Sequence, residues 1–114
     1  MALDGWLNNR NLYSSKYIGT AGTKTYIGQT AYQVFSLARK CVQVYNGGTG
    51  TLVAGVIEVS NDNSHWGTLA DIAGGTLGAA SSYFYNGTSA WGYMRISAAY
   101  AADMVGTVSF FAVF

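Results

Sequence analysis

The residues able to do chemistry are few and far apart. Cys41 is the single cysteine and His65 the single histidine. Together they are the minimum for a thiolate nucleophile, which needs a base within hydrogen-bond reach of the sulfur. Cys41 lies in Lys40-Cys41-Val42-Gln43-Val44, the pattern of a half-buried strand, and His65 follows the turn Asn61-Asp62-Asn63, so both are expected to be structural. The acids are Asp4, Glu58, Asp62, Asp71 and Asp103, and their spacing brings no two together in a cleft for general acid–base work. No serine occupies a G-x-S-x-G elbow. The expectation is a binding or assembly module and not an enzyme.

Asn61, Asp62, Asn63 and Asp71 are oxygen ligands of the kind Ca²⁺ prefers, but they lack the D-x-D-x-D-G pattern and a bidentate glutamate. An Asx-rich hairpin turn accounts for them. One His and one Cys fall short of a zinc set. Neither metal nor cofactor is therefore expected. Nine Tyr and three Trp could stack against sugars, although Trp66 and Trp91 fall at strand positions where such rings usually fill a core.

Those residues must be positioned by one small domain, since 114 residues support a single sizeable core. Hydrophobic residues make up 50% of the chain and charged residues 10%. A surface so poor in charge, against the usual share of about 25%, suits burial against another protein. The formal net charge of +1 and the lone basic doublet Arg39-Lys40 give no footprint for nucleic acid. With one cysteine no internal disulfide forms, so stability must come from packing or association. The start Met1-Ala2-Leu3-Asp4-Gly5-Trp6 lacks the basic and apolar regions of a secretory signal, which predicts folding in a cytoplasm. Every apolar run is too short to span a bilayer, and no membrane partner is expected.

Period-2 alternation dominates, which predicts an all-β fold. About eight antiparallel strands with turns every 8 to 12 residues point to a single β-sandwich of jelly-roll or Greek-key type. Leu52 to Ser60 is the clearest strand, with Val53, Gly55, Ile57 and Val59 on one face and Leu52, Ala54, Val56 and Glu58 on an almost equally apolar second face. Lys40 to Tyr45 is expected to pair with it across Asn46-Gly47-Gly48-Thr49-Gly50. The turn Asn61 to Ser64 leads to a second hairpin, with Trp66 facing the core. Ala73 to Ala80 reads as a loop or irregular edge strand before Ser82 to Tyr85. Asn86-Gly87 is a type I′ signal for a third hairpin, into Trp91 to Ser97. The segment Val105 to Phe114 alternates to an apolar end that should dock against something. Residues 1–15 carry bulk without pattern and are expected to form an N-terminal arm, with the sandwich occupying 16–114.

The run Gly55-Val56-Ile57-Glu58-Val59-Ser60-Asn61-Asp62-Asn63-Ser64-His65-Trp66-Gly67-Thr68-Leu69 resembles a hairpin found in small β-sandwich proteins carried on tailed-phage structural operons. Trp91-Gly92-Tyr93-Met94-Arg95-Ile96 followed by Gly106-Thr107-Val108-Ser109-Phe110 resembles the close of the same proteins. The resemblance covers roughly residues 40–114 and is one of pattern more than of invariant residues. It implies a virion component, made in the host cytoplasm, most often a capsid decoration (cement) protein and sometimes a neck or tail-fibre part. The partners implied are the major capsid protein and the chain itself, as a homotrimer. Assembly contacts are expected from Trp6, Leu7, Arg10, Leu12 and Tyr13 of the arm. The rival expectation is a carbohydrate-binding tail module, marked by exposed coplanar aromatic rings.

Overall fold

The computed structural model describes residues 11–19, 22–34, 40–87, 91–101 and 106–113. Among them, ten strands run in chain order. They are β1 (Asn11–Ile18), β2 (Thr25–Tyr26), β3 (Tyr32–Gln33), β4 (Lys40–Asn46), β5 (Leu52–Ser60), β6 (Gly67–Asp71), β7 (Thr76–Leu77), β8 (Ser82–Gly87), β9 (Tyr93–Tyr100) and β10 (Gly106–Val113). Ten exceeds the eight or so expected from the sequence, and three of the ten, β2, β3 and β7, are two-residue ladders too short to leave an alternating pattern.

The strands form two antiparallel sheets that sandwich one core. The first sheet has the order β1-β10-β4-β8. The second has β2-β9-β5-β6, with β3 also on β9 and β7 on β5. Ile18, Val42, Val44, Val108, Phe110 and Ala112 of the first sheet meet Leu52, Ile57, Met94, Ile96, Ala98 and Tyr100 of the second. Trp91 closes the core against Tyr85, and Tyr32 packs edge-on against Phe110 with ring centroids 5.3 Å apart.

The apparently two-sided β5 is resolved by a bulge. Its register with β9 shifts between Val53 and Val56, and Ala54 takes a φ of 52°, in the left-handed region. The extra residue reverses the alternation, so Leu52 and Ile57, on opposite faces by sequence parity, both point into the core. The bulge also lays Gly55 against Ile72, whose side chain a Cβ at that position would meet at 3.0 Å.

Two expected hairpins are not formed. β4 and β5 lie in different sheets, because the segment after Asn46 arches across the core instead of folding back in plane. β8 and β9 are likewise in different sheets, and Asn86 and Gly87 lie within β8, paired with Cys41 and Lys40. The hairpin β5–β6 forms as expected. The expected boundary between arm and sandwich falls inside β1, which pairs with β10 along its whole length from Asn11.

Asn46 drives the first arch. Its side chain is fully buried, and Nδ2 donates to the carbonyls of Gly50, Leu77 and Gly78 at 2.8, 3.0 and 3.1 Å. Its Oδ1 accepts from the Gly48 N–H at 3.0 Å and from the Tyr100 hydroxyl at 2.6 Å. Burial pushes the Tyr100 phenol up, against a smaller lowering by the Gly48 amide. Gly106 lets β10 begin against this knot, since a Cβ there would collide with the Cα of Gly48.

Replacing Asn46 by Ala orphans buried donors and acceptors at about 1–3 kcal/mol each, partly relieved by relaxation. The expected loss is about 3 kcal/mol or more in urea unfolding. Tyr100→Phe, which removes one bond, should cost only about 1 kcal/mol. Equal losses would show that the amide is not the hub.

Candidate functional site

Alternation in the first sheet turns Val42, Val44, Val108, Phe110 and Ala112 inward and leaves the opposite set on the outer face. Register aligns that set into rows. Tyr13, Phe111, Gln43 and Phe84 lie side by side across β1, β10, β4 and β8. The next row is Ser15, Ser109, Tyr45 and Ser82. Tyr17 and Thr107 continue the face on one side, and Cys41 and Asn86 on the other.

This face is aromatic, exposed and uncharged. Tyr13 is 66% exposed, Tyr17 62%, Phe84 57%, Tyr45 41% and Phe111 39%. No described side chain of the face is charged. Five of its polar side chains are bonded to one another. Tyr13 Oη and Ser15 Oγ lie 2.9 Å apart, Ser15 Oγ and Ser109 Oγ 2.7 Å apart, and Gln43 Nε2 donates to Ser82 Oγ at 3.2 Å. The Ser15 and Ser109 hydroxyls hold the Tyr13 phenol below its usual range. A hydroxyl already partnered within its own face costs less to take out of water than a free one. The face therefore has the composition of a surface built to be covered.

The outer face of the second sheet has the opposite character. The Arg95 guanidinium lies 4.1 Å from the Trp66 ring and 5.2 Å from that of Tyr26. It also donates through Nε to Glu58 Oε1 at 3.0 Å, and Lys24 Nζ lies 3.6 Å from the same oxygen. The ion pairs and cation–π contacts satisfy one another, which suits a surface facing water. Trp66, expected in the core, is instead the platform on which Arg95 lies.

The Asn61-to-His65 turn spends its oxygens on its own backbone. Asp62 Oδ1 accepts from the backbone N–H groups of Ser64 and His65, at 2.9 and 2.8 Å, and from Ser60 Oγ at 2.9 Å. Oδ2 meets His65 Nδ1 at 2.7 Å. Asn61 Oδ1 accepts from the Gly92 N–H and fastens the turn to the start of β9. The His65 backbone amide, then its ring, the Ser64 amide and Ser60 hold the Asp62 carboxyl well below the usual carboxylate range. Asp71 pairs with Val56, well down β5 from the turn. Among the described residues no three His, Cys, Asp or Glu side chains come together as a metal site. Cys41 lies on β4 of the first sheet, whereas His65 lies in the turn between β5 and β6 of the second, and no hydrogen bond joins the two.

Of the residues expected to make assembly contacts, Tyr13 stands at the edge of the aromatic row. Leu12, its neighbour on β1, turns inward and packs on the core. Trp6, Leu7 and Arg10 lie outside the described residues, as do Val105 and the expected docking end Phe114. Phe84, Phe111, Tyr45 and Tyr17 were missed. Each occupies the polar-side position of an alternating strand, which is the signal that could have found them.

No family model and no curated protein matches the sequence. Among solved structures the chain is similar to PirA, at TM-score 0.60 and 12% identity over 86% of this chain and 90% of that one. It is also similar to the PBSX exported protein XepA, at TM-score 0.66 and 16% identity, covering 94% of this chain and 37% of XepA. A third likeness is to the SPBc2 prophage-derived protein YomS, at TM-score 0.51 and 12% identity, covering 92% of this chain and 96% of YomS. The sandwich is a fold that a prophage encodes. At these identities the likeness is one of fold. No helix among the described residues is long and apolar enough to cross a membrane.

The depressed Asp62 carboxyl gives a signed pH dependence. Stability from its hydrogen bonds is present above the unfolded-state value, near 3.8, and is lost as pH falls through the lower folded-state value. Wild type should therefore exceed Asp62→Asn in urea midpoint at pH 6, and the gap should close progressively below about pH 4. A gap independent of pH would show that the charge of Asp62 does not organise the turn.

Proposed function

We propose that this chain is a virion structural protein of a bacteriophage, acting by binding and not by catalysis, and that its place is the decoration of the head at capsomer junctions. The observation that carries the reading is the outer face of the first sheet, where exposed Tyr and Phe side chains stand without a charge among them. A monomer gains nothing from displaying such a surface, whereas a subunit of an assembly buries it. The fold shared with the prophage-derived YomS and the phage-like pattern over residues 55–69 support the same reading.

The mechanism of a decoration protein is mass action. Contacts available only on the assembled shell add binding free energy to that state and shift the equilibrium away from disassembly. The major capsid protein is the partner this requires. A glycan-binding role draws less support, because Tyr13 and Phe84 stand at opposite edges of the sheet, three strand spacings or about 14 Å apart.

The test is to mix the protein with phage shells that lack it, pellet them, and heat them. Saturable co-sedimentation with a raised shell-disruption temperature is the expected result. Failure to bind shells while binding purified tails or necks would overturn the head placement. Binding to neither particle part, with affinity for oligosaccharides, would overturn the structural reading altogether.

A further inference from the structure

We propose that the outer face of the first sheet is the interface of a two-fold dimer of this chain. The inference rests on the reading of that face as one buried in an assembly, and it names the occupant as a second copy.

The first argument is electrostatic. A partner recognised by charge needs a complementary charge to meet, and no described side chain of this face supplies one. What fits an uncharged aromatic surface with internally bonded hydroxyls is another of the same kind, and this face is itself such a surface.

The second argument is shape. Large and small side chains segregate by row, with Tyr13, Phe111 and Phe84 in one and Ser15, Ser109 and Ser82 in the next. The two rows exchange one large partner, since Gln43 sits among the rings and Tyr45 among the serines. A two-fold axis lying between the rows and across the strands places each row of one copy over the other row of its mate. Phe111 then meets Ser109, Phe84 meets Ser82, Tyr13 meets Ser15 and Tyr45 meets Gln43, so each large side chain faces a smaller one. Face-to-face sheets about 10 Å apart interdigitate in this way. The contact is isologous and closed, so it ends at two copies and does not propagate into a fibre.

The third argument is area. Four strands about 4.8 Å apart, running some 20–26 Å, present roughly 450 Å² per copy in projection. A pair covers about 900 Å² before side-chain relief is added, close to the 1,000 Å² or so of the smallest specific interfaces. The dimer should accordingly be reversible, with a dissociation constant in the micromolar range.

Sedimentation equilibrium of the purified chain across micromolar to high-micromolar concentration reads this directly. Wild type should show a monomer–dimer equilibrium. Phe111→Glu should weaken it about tenfold or more, and so should Ser109→Lys, each with an unchanged circular dichroism spectrum. Mixing the two variants should restore a heterodimer, because the geometry sets the new carboxylate against the new ammonium in one of the two equivalent contacts. Phe84→Glu, at an edge strand, is the second probe should a central variant not fold. A wild type that stays monomeric overturns the proposal, and so does a dimer indifferent to Phe111→Glu and Phe84→Glu. A monomer that still pellets with phage shells would sink the dimer and leave the decoration role standing. A dimer that binds no phage particle would do the reverse.

Discussion

The buried amide of Asn46 sets which strands can meet. Its five hydrogen bonds gather the arch after β4, the carbonyls before β8 and the end of β9 into one knot at the edge of the core. An amide offers two donors and a carbonyl oxygen, and here all of that capacity is used inside the protein. Because the knot directs the chain across the core, β4 is left to pair with β10 and β8 while β5 pairs with β9, β6 and β7. The rows of the aromatic face follow from that division. Had β4 paired with β5 in plane, Gln43 and Tyr45 would not lie between Phe111 and Phe84.

A second constraint is the scarcity of charge, at 10% of the residues. The second sheet concentrates what there is, with Glu58 serving both Arg95 and Lys24 and two aromatic rings flanking the guanidinium. The first sheet has hydroxyls and rings instead. Of the two outer faces, only that of the second sheet carries charge among the described residues. The asymmetry separates a face that solvent satisfies from one that another surface must satisfy.

Local pattern revealed the strands and concealed their partners. The alternation of β10 and β9 places Val108, Phe110 and Ala112 on one face and Met94, Ile96 and Ala98 on another, because burial on one side imposes period 2 wherever the strand pairs. Asn46-Gly47-Gly48 and Asn86-Gly87 read as tight turns because turn propensity is a property of a few residues. Whether those residues turn or continue is decided by contacts from elsewhere, such as Tyr100 onto Asn46 and Cys41 beside Asn86. The same limit hid the candidate site. Tyr13, Tyr45, Phe84 and Phe111 are each visible as the outward residue of a strand, yet their adjacency is fixed by ladders joining the two ends of the chain. Trp66 misled for a related reason, since a large ring at a strand start suggests the core until an arginine on the neighbouring ladder covers it.

A modest flat interface can still matter on a particle. A shell presents the same docking site many times at fixed spacing, so two linked copies engage neighbouring sites at a high effective concentration. Weak self-association then multiplies weak attachment, and the product falls steeply when either contact is lost. Such an arrangement leaves the Asn61-to-His65 turn and the connecting loops free to meet the particle, while the aromatic face holds the pair together. A micromolar dimer would also stay dissociable in dilute solution and accumulate where sites are dense, which is what the proposed decoration role requires.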